Sequence, residues 1–281
     1  MRMRAMLNKP RALLFWLVLS AAARAAEPLP VFDAHLHYNE EATARYPVAR
    51  ALEVFRKNGV KGILANSRPN DGTRALFEAK AKDIRVVPFI RPYIVQSDVQ
   101  TWFNDPRIYA LIESEMKRGY YRGIGEFHLH GADAGEAQVK RIVDLAVAKD
   151  FVLHAHSDDE AIERLLAHNP KAKIIWAHTG FGTPAEKLER YFARYPALMG
   201  ELSYRSGITA GEGKITPEWG RLFEKYSDRF LLGSDTWITE RWDAYAQIIA
   251  GYRAWLSQLP REAAERIAFR NAERLFGEQA R

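Results

Sequence analysis

The chain has 281 residues, 47% of them hydrophobic, a formal charge of +6 and no cysteine. That length can bury one large core or two small ones, and the lack of Cys excludes disulfides, thiolate metal ligands and a lipid-acceptor Cys at a processing site. Five basic residues and no acidic one lie in residues 1–25, so the remainder carries only +1 and its net charge implies no nucleic-acid partner.

The N-terminal stretch places Arg2, Arg4, Lys9 and Arg11 before an apolar block at residues 12–19, then small residues and Ala23-Arg24-Ala25. This layout predicts a secretory signal peptide over residues 1–25. The apolar block is shorter than the ~20 residues of a spanning helix, so no stable membrane anchor is expected after cleavage. The expected mature domain, residues 26–281, is close to the ~250 residues of a TIM barrel, and its expected location is periplasmic or secreted.

From residue 29 the pattern alternates. An apolar strand at 29–32 runs into Asp33-Ala34-His35-Leu36-His37. Side chains alternate faces along a strand, so His35 and His37 point the same way and can grip one divalent cation. A helix at 48–57, a strand at 60–65 and a helix at 73–82 follow. The strand at 84–90 contains Pro88, a mild objection to it. A link at 91–104 precedes a helix at 106–118, a strand at 121–128 and an amphipathic helix at 135–149. The strand at 151–156 is followed by a helix capped by Asp158, and the strand at 172–178 by a helix opened by Thr183-Pro184. The strand at 197–203 leads to a helix opened by Thr216-Pro217, and the strand at 229–235 to two closing helices, 240–256 and 261–276. Eight strands alternating with helices predict an α/β fold, a single (β/α)8 TIM barrel with a C-terminal helical extension.

In such barrels the chemistry sits at the C-terminal strand ends. The strand ends here offer His35 and His37 (first), Glu126, His128 and His130 (fourth), His154 and His156 (fifth), His178 (sixth), Glu201 and Ser203 (seventh) and Asp235 (eighth). Only His168 reads as an ordinary helix-end histidine. Polar groups pointing into a barrel are costly unless paired or bound to an ion, and a cation at the mouth would satisfy several at once.

Asp33-x-His35-x-His37, His156, Ala177-His178-Thr179-Gly180, Leu232-Gly233-Ser234-Asp235 and the closing Asn271-Ala272-Glu273-Arg274-Leu275-Phe276-Gly277 together resemble the amidohydrolase superfamily, in its amidohydrolase-related branch, over residues 31–277. The resemblance implies a divalent metal, zinc as the expected ion, in one or two copies per chain. It implies His35 and His37 as ligands of the first ion, Asp235 as ligand and proton acceptor, and His156 and His178 as ligands of a second. With one ion, His178 would instead polarise the oxygen under attack. No lysine stands where binuclear relatives carry a carbamylated one. Glu126 instead resembles the bridging Glu of the TatD-like deoxyribonucleases.

The implied activity is metal-dependent hydrolysis of a C–N or C–O bond (amide, cyclic amide, lactone or ester) of a small-molecule substrate, with Asp235 and His178 catalytic. Phosphoester hydrolysis and metal-dependent decarboxylation on the same scaffold are the enzyme alternatives, and a non-enzymatic metal-binding barrel is the competing class. His128 and His130 share the alternation of Glu126 and stay open as extra ligands, substrate contacts or first loop residues, a hydrogen-bonded loop histidine being the expectation for both. His154 is expected to be a packed, hydrogen-bonded core residue, and Glu201 and Ser203 pocket or supporting groups. Arg68, Arg91 and Arg205, with Tyr93, Phe181, Tyr204 and Trp237, are candidates for the pocket rim.

Overall fold

The computed structural model describes residues 28–277, so the expected signal peptide lies outside the described residues. Eight parallel strands pair in chain order: β1 (Val31–His37), β2 (Val60–Asn66), β3 (Arg85–Ile90), β4 (Gly123–Leu129), β5 (Val152–Ser157), β6 (Lys173–Trp176), β7 (Leu198–Glu201) and β8 (Phe230–Leu231). Closure runs through a bridge between Asp33 and Leu232, with Ala34 N donating to Leu232 O at 2.7 Å and Asp235 N to His35 O at 2.6 Å. This is the expected (β/α)8 barrel.

Strands with both faces covered need apolar residues on both, and the core divides accordingly. The outer layer lies between sheet and helices. The helix Val48–Lys57, for example, turns Ala51, Leu52 and Phe55 inward, and its last turn ends in Arg56 and Lys57. The inner layer, inside the barrel, contains Phe32, Leu64, Val87, Phe89, Ile175 and Leu231. The C-terminal helix Asn271–Phe276 closes this layer from below. Phe276 packs 6.0 Å from Phe32 and 5.8 Å from Phe89, and Arg85 Nη2 donates to Phe276 O at 2.9 Å. The helical extension is thus the plug of the barrel floor, which leaves the polar layer at the opposite end.

Several expected strands are shorter than the apolar runs suggest, for one physical reason. Side-chain carboxylates take the backbone N–H groups that would continue each ladder. Asp33 accepts from Ser234 N at 2.8 Å, so β8 stops at Leu231 instead of running to 235. Glu201 accepts from His178 N at 3.2 Å and Ser203 N at 2.5 Å, so β6 stops at Trp176 and β7 at Glu201. His178 therefore sits in a tight turn, at φ 56°, not on a strand. The expected helix 240–256 is likewise two pieces, Thr239–Asp243 and Tyr245–Leu256. Asp158 caps its helix by accepting from Ala161 N at 2.8 Å, as expected.

The floor layer is expected to carry stability and not chemistry. Phe89→Ala, in a fully buried position, should cost about 3–5 kcal/mol in urea-unfolding free energy, the usual scale for emptying a buried Phe site. A loss below 1 kcal/mol would show that the inner layer is not the core assigned to it.

Candidate metal centre

At the barrel mouth, donor atoms from β1, β4 and the segment after β8 converge. His35 Nε2 and His37 Nε2 are 3.0 Å apart. Asp235 Oδ1 lies 3.4 Å from the first and 3.1 Å from the second. Glu126 Oε1 is 3.4 Å from His35 Nε2, and Glu126 Oε2 is 3.3 Å from His37 Nε2. Four ligands at about 2.0–2.1 Å in a tetrahedron stand roughly 3.3 Å from one another, so these separations fit a shared ion such as zinc.

Glu126 enters this group through a β-bulge. Gly125 pairs with His154 and Phe127 with Ala155, so Glu126 is the extra residue between them. Phe127 then packs outward against Trp102 while Glu126 points in. Gly125 makes the close approach possible, since a Cβ there would stand 2.3 Å from His154 O. Oε1 of Glu126 also faces His156 Nδ1 at 3.0 Å and His178 Nε2 at 3.6 Å. The six residues expected from the sequence are thus brought together: His35, His37, His156 and His178 each approach a Glu126 oxygen, and Asp235 joins them through His35, His37 and His178.

Hydrogen-bond partners set the ring orientations. His35 Nδ1 lies 2.8 Å from Glu201 Oε2, which accepts its proton and leaves Nε2 with the lone pair facing the centre. His178 Nδ1 lies 2.9 Å from Ser203 O, a carbonyl that can only accept, so its Nε2 is also free for a ligand. Glu201 is fully buried and also accepts from Ser203 Oγ at 2.8 Å. Gly233 lets Glu201 and His35 approach, because a Cβ there would lie 2.4 Å from each. His37 differs: Arg91 Nη1, a donor only, contacts its Nδ1. Ligation through His37 Nε2 therefore requires the proton on Nδ1 and Arg91 drawn back toward Asn66 Oδ1, which Nη1 already reaches at 2.7 Å.

The electrostatics separate the carboxylates. Burial pushes Glu126 and Asp235 up, but His35 and the neighbouring imidazoles outweigh it and hold both below the usual carboxylate range. Glu201 is lowered by the same balance. Burial likewise opposes a charge on His35, yet Asp235, Glu126 and Glu201 raise its pKa well above the ordinary imidazole value. Asp33, buried with hydrogen bonds from Ser234 Oγ (2.6 Å) and Tyr245 (2.8 Å) but no charged partner among them, is raised by burial.

Other candidates fall out differently. His154 is packed beside His35, ring centroids 4.4 Å apart, but neither of its nitrogens has a partner among the described residues, contrary to the expected hydrogen bond. Its pKa is pushed well down by burial and by the neighbouring His35 charge. His128 belongs to β4, not to a loop, and is hydrogen-bonded, while His130 is largely exposed, 3.8 Å from Asp158. A cleft of ≈ 370 Å³ opens above the centre, its wall including Arg68, Arg91, His128, Phe181, Tyr204 and Trp237. Tyr93 is fully buried and lies outside that wall. Arg205 is also absent from it, held by Thr183 O and stacked 4.9 Å over Trp219. The role of Asn66 in holding Arg91 carries no local sequence signal.

The chain matches the family model described as amidohydrolase over residues 99–277. No curated protein matches it. Among solved structures, an uncharacterised TIM-barrel protein from Bordetella bronchiseptica superposes with a TM-score of 0.59 at 13% identity, covering 83% of this chain and 84% of that one. An amidohydrolase from Burkholderia multivorans with bound zinc gives 0.54 at 15% identity, covering 88% and 99%. A protein provisionally assigned as a 2-pyrone-4,6-dicarboxylic acid hydrolase from Pseudomonas putida gives 0.57 at 16%, covering 89% and 98%. At these identities the likeness is one of fold.

The Glu201–His35 contact generates a test. Glu201→Gln keeps the shape but gives up the charge that fixes the His35 tautomer, so zinc affinity should fall by about 10–100-fold in a competitive chelator titration. Unchanged affinity would mean that Glu201 only packs.

Proposed function

The chain belongs to the amidohydrolase family and is a hydrolytic enzyme, and from that premise we propose that it cleaves a C–N or C–O bond of a small amide, cyclic amide, lactone or ester with metal-activated water. The observation that carries this reading is the convergence of His35, His37, His156 and His178 on Glu126, with Asp235 against His35 and His37 and the His35 and His178 lone pairs turned inward by Glu201 and Ser203 O. In it, His35, His37, Glu126 and Asp235 hold one divalent ion, and His156, His178 and Glu126 a second. Zinc suits a donor set of imidazoles and carboxylates without thiolate. Bound there, such an ion supplies a water whose pKa is lowered from 15.7 to about 7, together with polarisation of the oxygen under attack.

The chain's own groups do the rest. Asp235, which lines the cleft and has its Oδ2 3.9 Å from His178 Nε2, takes the proton lost by the water. It then returns that proton to the leaving group. A cleft of ≈ 370 Å³ suits a small molecule. Phe181, Tyr204 and Trp237 cover its apolar part, and Arg68 and Arg91 meet an anionic substituent. The provisional assignment of the Pseudomonas putida neighbour to a cyclic ester agrees with a lactone among the candidates. We further propose that the protein is exported. The support is the basic, apolar and small-residue order of residues 1–25.

Asp235→Asn should fold, retain at least one zinc per chain by metal analysis, and lose on the order of 10²-fold or more in kcat, with less effect on KM. The assay is a panel of lactones, amides and esters. Near wild-type turnover with zinc retained would remove Asp235 from the role of base. Export predicts a chain that starts near Ala26 or Glu27 in the periplasm of a Gram-negative host, read by intact mass; an uncleaved cytoplasmic chain contradicts it.

A further inference from the structure

We propose that His128 is a fixed, neutral hydrogen-bond donor to the substrate, presenting Nε2–H to an acceptor oxygen (carbonyl or carboxylate) in the cleft, and is not a metal ligand. Its substrate side rests on the hydrolase reading above; its tautomer does not.

The argument is one of proton accounting. Tyr93 is fully buried, and its hydroxyl accepts from the His128 backbone N–H at 2.6 Å. That hydroxyl must place its own proton. Among the described residues, the other hydrogen-bond partner it has is His128 Nδ1, at 3.0 Å. Tyr93 therefore donates to Nδ1, and the neutral imidazole carries its proton on Nε2. Among the described residues Nε2 has no hydrogen-bond partner, and His128 forms part of the cleft wall. It faces the space that substrate would enter.

The residue is also held for this task. Trp102 Nε1 donates to His128 O at 2.7 Å, so the backbone is fixed on both sides by side chains from the segment after β3. The His128 ring stacks on His156, centroids 4.0 Å apart. His128, Glu126 and His156 do bring potential ligand atoms within 4.8 Å of one another. Nδ1, however, is taken by Tyr93, and ligation through Nε2 would require its proton to move to Nδ1 and leave the Tyr93 proton without an acceptor. The same Nε2 proton suits His128 to an oxygen acceptor.

The test uses zinc-loaded protein labelled with ¹⁵N-histidine, the His128 signals being assigned by their loss in His128→Asn. Long-range ¹H–¹⁵N correlation should show Nδ1 unprotonated and Nε2 protonated, unchanged when zinc is removed and returned. In Tyr93→Phe this preference should be lost. Sodium acetate, as the oxygen-acceptor probe, should move the Nε2–H proton downfield. Zinc content of His128→Asn should equal that of the wild type. The reverse tautomer, an Nε2 that gives up its proton to zinc, a loss of about one zinc per chain in the variant, or an Nε2–H unmoved at the highest acetate the fold tolerates would each overturn the proposal. Failure of the hydrolase reading shows elsewhere, as no turnover of any lactone, amide or ester while these spectra stay as expected.

Discussion

Burial of four carboxylates at one end of the barrel is the constraint to which the rest of the structure answers. Asp33, Glu126, Glu201 and Asp235 are each at most 5% exposed. Removing such an ion from water costs several kcal/mol unless partners restore what the water gave. The partners differ in kind. Asp33 receives uncharged donors, Ser234 and Tyr245, and burial prevails, raising its pKa. Glu126, Glu201 and Asp235 face imidazoles, and attraction prevails, lowering theirs. The first carboxylate is equipped to pin β1 to the segment after β8. The other three are equipped to sit beside positive charge, whether a proton on His35 or a cation held by its Nε2. Proton and metal compete for the same field, so metal binding in such a site releases protons.

The scaffold keeps this polar layer apart from the apolar one. Phe32 and Phe89 in the floor meet Phe276 of the closing helix, while three and five residues beyond Phe32 along β1 the side chains are His35 and His37. One strand thus supplies both core and chemistry, and the change of residue type along it marks where the packed floor ends.

Much of this is legible in the chain. The eight strand–helix units follow from apolar runs and caps, and the His35/His37 pair from the two-residue alternation of a strand. Three things are not legible, each for a physical reason. The bulge at Glu126 adds a residue to β4, so counting by twos along residues 123–130 does not by itself reveal that the carboxylate is inserted. His178 lies in an apolar run that looks like continuous strand, because the carboxylate that takes its N–H belongs to residue 201. The Glu201–His35 bond spans 166 residues of chain, and the Tyr93–His128 bond 35, with no local motif for either. Site residues were recognisable by type and strand position; the partners that orient them were set by closure of the barrel.

Backbone strain divides the mouth into two halves. His178, Phe181, Tyr204 and Asp235, all non-glycine, adopt φ of 56°, 52°, 50° and 46°. A side chain in the left-handed region costs roughly 1–2 kcal/mol per residue, and these four follow β6, β7 and β8 in turn. No residue of β1 or β4 other than Gly125 has a positive φ. His35 and His37 therefore stand on strand backbone of negative φ, with a register shift between Asp33 and Leu36, while the wall after β6, β7 and β8 is built from strained turns. Those turns do something regular strands could not: they turn Phe181 and Tyr204 outward, 40% and 47% exposed, beside the 52% exposed Trp237. Tyr204 is steadied from both sides, accepting from Trp237 Nε1 at 3.2 Å and stacking under Arg241 at 4.2 Å. Exposed aromatics are costly on a free surface, and here they cost conformational strain as well. Both costs fall on the wall of one cleft, above the ionised layer. The strained turns thus carry His178 and Asp235 into the ionised layer beside His35 and His37, and they also shape what can lie over it.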